Sequence, residues 1–247
     1  MQAPGQCVLG YFYFMAQASK DFSSIRVITF DCYGTLIDWE TGIFSALRPI
    51  LLSHQIQIDD AEILALYGDI EVTAESGDFR PYREILRAVV RGLGKRLGFN
   101  PSAAQQDSLP NSLANWRPFP DTVLALQQLR SKFQLGIISN VDDDLFGSTA
   151  PQLQTQFDFV ITAGQARAYK PSPKIFQLAK DKIGSSASHW LHAGQSVYHD
   201  VVPAKALGIA AIWVNRASVR PGGAVKLASG TPDAEVHTLQ ELANLLL

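Results

Sequence analysis

Residues 27–42 read VITFDCYGTLIDWETG. Val27, Ile28, Thr29 and Phe30 are all β-formers and run without polar alternation straight into Asp31. A Gly-Thr pair follows at 34–35, and an aromatic ring, Tyr33, stands between it and the carboxylate. A short run without alternation predicts a strand buried on both faces, the setting of a parallel sheet. Asp31 then falls at the C-terminal end of that strand, where open α/β sheets bind their ligands.

The same pattern recurs further on. The stretches FQLGIIS (133–139), FDFVITA (157–163), HWLHAG (189–194) and IAAIWVN (209–215) predict buried strands. Between them, DTVLALQQLRSKF (121–133), SPKIFQLAKDKIG (172–184) and HDVVPAKALG (199–208) predict helices, the last two closing on a glycine. Pro203 sits early enough in its helix to be tolerated. Strands separated by helices imply a doubly wound α/β domain with a parallel sheet. Residues 41–115 break this rhythm with helical periodicity and no strand, and WRPFPD (116–121) marks a return to the core. The expected organisation is a leader over 1–24, a core over 25–40 and 116–247, and a helical insertion over 41–115 that overhangs the first strand as a lid.

Composition narrows the function. With 21 basic and 23 acidic side chains, a net charge of -2 leaves no nucleic-acid footprint, so a small-molecule substrate is expected. Two cysteines, Cys7 and Cys32, form neither a disulfide framework nor a zinc spacing, and favour a reducing, cytoplasmic setting. The apolar segment CVLGYFYFMA (7–16) follows no basic residue and is far short of the ~20 residues of a membrane span, so no membrane association is expected. Met15 is a candidate natural start.

Each predicted strand delivers polar residues to one rim. Asp31 ends the first, Ser139 and Asn140 the second; Lys170 follows the third in ARAYKPSPKIF, and Asp200 follows the fourth in GQSVYHD. Singly these are turn formers and helix caps. Jointly, in this order, FDCYGTLID, ISN, YKPSPKIF and HAGQSVYHDVVPAKALGIAAIWVNR resemble the four motifs of the haloacid dehalogenase superfamily, and within it the 2-haloacid dehalogenase group, over residues 25 to 216. The resemblance implies a Rossmann-like core with a cap, and an aspartate nucleophile that forms a covalent ester.

The residue chemistry fits those roles. A carboxylate nucleophile must be ionised and aimed, and Lys170 is the cation expected to hold Asp31 charged. Ser139 and Asn140 can donate hydrogen bonds to an anionic substrate or a departing halide. Thr35 and the backbone at Gly34 can orient the second oxygen of Asp31. Asp200 can position Lys170 or activate the water that cleaves the ester.

Tyr33 separates two chemistries. The superfamily's phosphatases carry a second Asp two residues after the nucleophile to protonate the leaving alkoxide, and a phenol with a reference pKa near 10 is a poor substitute. A halide takes no proton. The metal-binding acidic residue of the phosphatases is also replaced, by Gln195, so no metal or other cofactor is expected. Other departures concern the dehalogenase pattern itself: Val197 stands where an Asn is expected, and Arg80, with Arg83 beside it, is the candidate for the cap arginine that binds the halide. His192 and His199 read as surface donors without metal-ligand spacing, and Cys32 as a small buried filler.

The expected activity is hydrolysis of short 2-haloalkanoic acids to 2-hydroxy acids, with a homodimer the usual assembly for such enzymes. Two alternatives stay open: a Mg²⁺-dependent phosphatase, and a binding module on the same fold.

Overall fold

The computed structural model describes residues 21–219 and 228–247. Cys7, Met15 and most of the expected leader lie outside the described residues.

The core is a six-stranded, all-parallel sheet. Its strands are β1 (Val27–Phe30), β2 (Gln134–Ser139), β3 (Phe159–Thr162), β4 (Trp190–Gly194), β5 (Ala210–Val214) and β6 (Ala234–Val236), in the order β3-β2-β1-β4-β5-β6. The first five coincide with the predicted runs. Every residue of β1 and β4 is buried, as expected for central strands without alternation. β6 is only three residues long, with Glu235 exposed, too short to show periodicity.

Helices cover the sheet. α6 (Thr122–Arg130) packs against the C-terminal helix, which we number α11 (Leu239–Leu246), while α9 (Pro173–Ile183) packs on β2 and β3 and touches α10 (Val202–Ala206). Two shorter helices, α7 (Asp143–Thr149) and α8 (Ala163–Ala166), follow β2 and β3. In α9 Pro173 occupies the first turn, where its missing N–H costs no bond, and Gly184 closes the helix at φ +63°.

The cap is helical throughout. Its helices are α1 (Trp39–Ser53), α2 (Asp60–Glu75), α3 (Tyr82–Leu97), and the short α4 (Ala103–Gln106) and α5 (Ser108–Ser112). Asp38 caps α1 by accepting the Thr41 N–H, so the helix starts two residues earlier than the predicted boundary. α3 is amphipathic, burying Ile85, Leu86, Val89, Val90 and Leu93, each worth roughly 1.5–3 kcal/mol.

Three contacts tie the cap to the core above the strand ends. The Asp142 carboxylate, just before α7, accepts the N–H groups of Tyr82 (2.8 Å) and Arg83 (2.9 Å) at the start of α3. The α3 N-terminus is preceded by Pro81, which has no side-chain oxygen to cap it, so a core residue does so instead. Arg83 pairs with Asp144 at 2.7 Å, and the Tyr169 hydroxyl donates to the Arg80 carbonyl at 2.7 Å. Among the described residues no helix is long and apolar enough to cross a membrane.

Candidate active site

Strand order reverses direction at β1: β2 and β3 extend to one side, β4 to β6 to the other. The crevice at this switch point is where the fold binds ligands. Asp31 sits there one residue beyond β1, with its N–H on the Ala193 carbonyl of β4 (3.0 Å). The turn after it needs Gly34, whose φ of +91° and closeness to Trp39 (an added Cβ would lie 2.9 Å from the indole nitrogen) leave no room for a side chain. Arg216 pins the same turn, donating through Nε and Nη2 to the Thr35 carbonyl while Nη1 pairs with Asp121.

Lys170 is the hub. Its buried ammonium, 2% exposed, donates to Asp31 Oδ1 (2.8 Å), Asp200 Oδ1 (2.6 Å) and the Ile138 carbonyl (2.9 Å). These three acceptors use all three N–H bonds, which is what allows a lysine to be buried at all. Asn140 holds the lysine's backbone at both ends: its Oδ1 accepts the Lys170 N–H (2.7 Å) and its Nδ2 donates to the Lys170 carbonyl (3.2 Å). The expectation that Asn140 donates to substrate is therefore corrected, because its amide is already spent on Lys170. Ser139 does line the cavity over Asp31.

Thr35 orients the other oxygen of Asp31. Its hydroxyl accepts the Gln195 N–H (2.9 Å) and donates to Asp31 Oδ2 (2.9 Å). With one proton to give, the hydroxyl must point it at the carboxylate.

The two carboxylates differ. Burial pushes Asp31 above the ordinary carboxylate value against the pull of Lys170, with Asp200 adding to the rise. Burial also pushes Asp200 up, but there the Lys170 ammonium and the His192 bond prevail and hold it below the usual range. Asp200 is 1% exposed, and its oxygens accept from Lys170, His192 (3.1 Å) and the Ser196 N–H (3.2 Å). It is thus the fixed counter-ion of the lysine. Gly194 makes the approach possible, since an added Cβ would lie 2.4 Å from Asp200 Cγ.

Tyr33 turns its hydroxyl away from chemistry. It lies 2.9 Å from Thr149 Oγ1, whose own proton goes to the Leu145 carbonyl, so the phenol is the donor and its proton is committed to α7. Burial raises its pKa well above the usual phenol value. Only the ring, edge-on to Trp116 at 5.8 Å, is left to shape the cavity.

The cavity over Asp31 is a chamber of about 50 Å³ whose walls include Tyr33, Trp39, Tyr82, Ser139, Gln195 and His199. At ~10–15 Å³ per water this is room for a few heavy atoms. It adjoins a vestibule of about 530 Å³, with Glu75, Lys170 and His199 common to both. The chamber roof comes from α2, where Glu71 and Glu75 lie one turn apart on one face. Glu71 Oε1 accepts from the hydroxyls of Tyr67 (2.9 Å) and Tyr82 (2.6 Å). Burial raises both acids above their usual values, and the Glu71 charge raises Glu75 further.

Arg80 does not join this site. The residue is exposed, and its guanidinium donates to the Ala74 carbonyl. Arg83 is taken by Asp144. Of the chamber's lining residues, Lys170 is the one lysine or arginine. His192, expected at the surface, is buried at 1% exposure, whereas His199 is half-buried in the chamber wall. Cys32 is buried and free.

At the strand ends two carboxylates, Asp31 and Asp200, are the oxygen donors open to Mg²⁺. Magnesium asks for octahedral oxygen ligands, and Asp31 and Asp200 each already accept from the same ammonium; the third position of the motif is the amide Gln195. Among the described residues no three His, Cys, Asp or Glu side chains form a metal cluster.

The family model for a haloacid dehalogenase-like hydrolase matches residues 25–208. The chain belongs to the haloacid dehalogenase-like hydrolases. Two relatives of this hydrolase match nearly end to end. Haloacetate dehalogenase H-2 of Moraxella sp. is 25% identical over 90% of this chain and 98% of its own, and the (S)-2-haloacid dehalogenase of Pseudomonas sp. strain YL 23% over 90% and 94%. The L-2-haloacid dehalogenase of Xanthobacter autotrophicus with chloropropionic acid covalently bound shares the fold at a TM-score of 0.75 and 20% identity, over 90% of this chain and 98% of that one.

The roof acids, Tyr82 and Arg216 were not singled out from the sequence. Tyr67, Glu71 and Glu75 are spaced four apart along α2, a polar row in an otherwise buried helix face, and this row was the available signal. Tyr82 and Arg216 carried none, since their partners are 11 and 181 residues away.

Proposed function

We propose that this hydrolase dehalogenates short 2-haloalkanoic acids. Asp31 attacks the halogen-bearing carbon; the carbon–oxygen ester bond forms as the carbon–halogen bond breaks, and halide leaves with the bonding electrons. Water then adds to the Asp31 carboxyl carbon, and the ester opens to a 2-hydroxy acid and free Asp31. The water's proton leaves through the chamber, whose other bases are Glu71, Glu75 and His199.

The observation that carries this reading is the engagement of the Tyr33 hydroxyl with Thr149. The position after the nucleophile that would protonate an alkoxide offers no proton, and a halide needs none. The small chamber and the dehalogenases among the relatives support the same choice. A small anionic substrate and a cytoplasmic setting belong to this reading. The test measures free halide from 2-chloropropionate and free phosphate from an aryl phosphate, each with EDTA and with Mg²⁺. Halide release that survives EDTA is expected; phosphate release that needs Mg²⁺, without halide, would replace the proposal with a phosphatase.

The roof refines the substrate. Four carboxyl groups and one lysine, its three N–H bonds already engaged, line the chamber, so the substrate carboxylate is best received at the floor beside Ser139, with the far end of the molecule toward Glu71. A haloacid bearing an ammonium group beyond the reacting carbon answers that charge. Such a substrate is expected to show a KM several-fold lower than 2-chloropropionate. Glu71→Gln keeps the tyrosine bonds, lowers the negative charge of the roof and should narrow the difference in KM; steady-state kinetics with both substrates at ~pH 8 checks it. Equal KM values in wild type and variant would remove the roof from substrate selection.

A further inference from the structure

β4 places His192 directly opposite Thr29 of β1, in the middle of the sheet. A histidine here has to justify its burial, because each ring nitrogen needs a partner. Nδ1 lies 2.9 Å from Thr29 Oγ1, and Nε2 lies 3.1 Å from Asp200 Oδ1. Thr29 Oγ1 in turn accepts the Trp190 indole N–H at 2.8 Å.

Those distances fix the protons. The indole can only donate, so the Thr29 hydroxyl accepts there and gives its single proton elsewhere. The Leu191 carbonyl is 3.5 Å away and the imidazole Nδ1 2.9 Å, so the proton goes to Nδ1. Nε2 therefore carries the ring proton and donates it to Asp200. The resulting chain runs Trp190 to Thr29 to His192 to Asp200, and Asp200 shares that same Oδ1 with Lys170, which holds Asp31.

We propose that His192 is a positioning residue for the hydrolytic machinery: it holds the Asp200 carboxylate in place so that Lys170 is presented to the nucleophile. Asp200 follows β4 on a single π-helical turn, Val197–Val201, and two of its ties, Ser196 and the helix itself, are local. His192 supplies the link to the rigid sheet. The edge contact with Phe176 at 5.1 Å holds the ring plane, but apolar packing alone would be served as well by leucine.

The proposal uses the aspartyl-ester reading only for its activity assay, and a direct measurement stands apart from it. In ¹⁵N-histidine-labelled protein, the His192 resonances, identified by their loss in His192→Gln, should show a protonated Nε2 and an unprotonated Nδ1. A ring protonated at Nδ1 and bare at Nε2 would overturn the proposal whether or not the protein releases halide.

The kinetic arm compares His192→Leu with His192→Gln, whose amide nitrogen can reach the place of Nε2. His192→Leu should lower kcat for 2-chloropropionate about 10- to 100-fold with KM within about 3-fold, the loss of one hydrogen bond to a charged group. His192→Gln should recover most of that rate. Equal defects in two variants of equal thermal stability would make His192 a packing residue, and so would an unchanged kcat in His192→Leu. If His192→Leu does not fold, the ring tautomer and the His192→Gln rate decide. Wild-type protein that releases no halide refutes the substrate proposal, and the tautomer then decides the role of His192.

Discussion

Asp31→Asn should abolish halide release, lowering kcat by about 10⁴-fold or more, as expected when a covalent nucleophile is lost. The amide is isosteric, keeps one oxygen for Lys170, places its NH2 where Oδ2 faced Thr35, and cannot displace halide. Folding should survive, which circular dichroism would verify. Single turnover of wild-type enzyme in heavy-oxygen water gives the complementary result. The product hydroxyl takes its oxygen from Asp31, and the solvent oxygen stays in the Asp31 carboxylate, where mass spectrometry of the peptide finds it. Label in the first-turnover product and none in Asp31 would establish direct attack by water instead.

The pH profile follows from the same residue. Only ionised Asp31 attacks, and burial sets its pKa above the ordinary carboxylate value. The acid limb of kcat/KM should therefore fall at higher pH than ~3.9, the value of an exposed Asp.

Lys170→Met should have the largest effect on stability. It removes the one ammonium between two buried carboxylates, Asp31 at 8% and Asp200 at 1% exposure. Breaking a buried pair from one side costs about 3–5 kcal/mol, because the remaining charge keeps its desolvation penalty without a partner. The sign with pH is determined. Without lysine both carboxyls have folded pKa values raised above their unfolded ones, so protonation favours the folded state. The deficit is largest well above those raised values and shrinks as pH falls through them. Denaturant unfolding at ~pH 5 and ~pH 8 should show a larger gap from wild type at pH 8. In the wild type the sign is opposite for Asp200. Its folded pKa lies below the unfolded one, so its contribution is full at neutral pH and is lost only as pH falls below the unfolded value toward the folded one. A Lys170→Met gap independent of pH would mean that the carboxylates find other cations.

The methionine variant should also lose activity. Lys170 opposes the rise in the Asp31 pKa, so its removal moves the acid limb of the rate profile upward and leaves less of the nucleophile ionised at neutral pH.

Much of this arrangement was legible in the sequence because it follows from strand-end topology. In a parallel sheet, residues that follow consecutive strands come to one rim, so Asp31, Ser139, Lys170 and Asp200 were brought together by order alone. Tyr33 was legible as an absence. What it does instead is set by the tertiary fold, because Thr149 is 116 residues away. Arg80 failed for a related reason. An arginine in the cap can be read as a substrate clamp from the chain, but Arg80 lies in the loop between α2 and α3, exposed, with its guanidinium on the Ala74 carbonyl.

The sequence by itself determined the class of fold and the placing of Asp31 at the switch point of the sheet, since both depend on local pattern and strand order. Tertiary structure decided the charge of the chamber. Two acids of α2 form its roof, Asn140 serves Lys170, and His192 is a link in a buried chain from Trp190 to Asp31. The physical reason is that a side chain's partner, not its type, sets whether it binds substrate, holds a neighbour or fills space, and those partners lie far away along the chain.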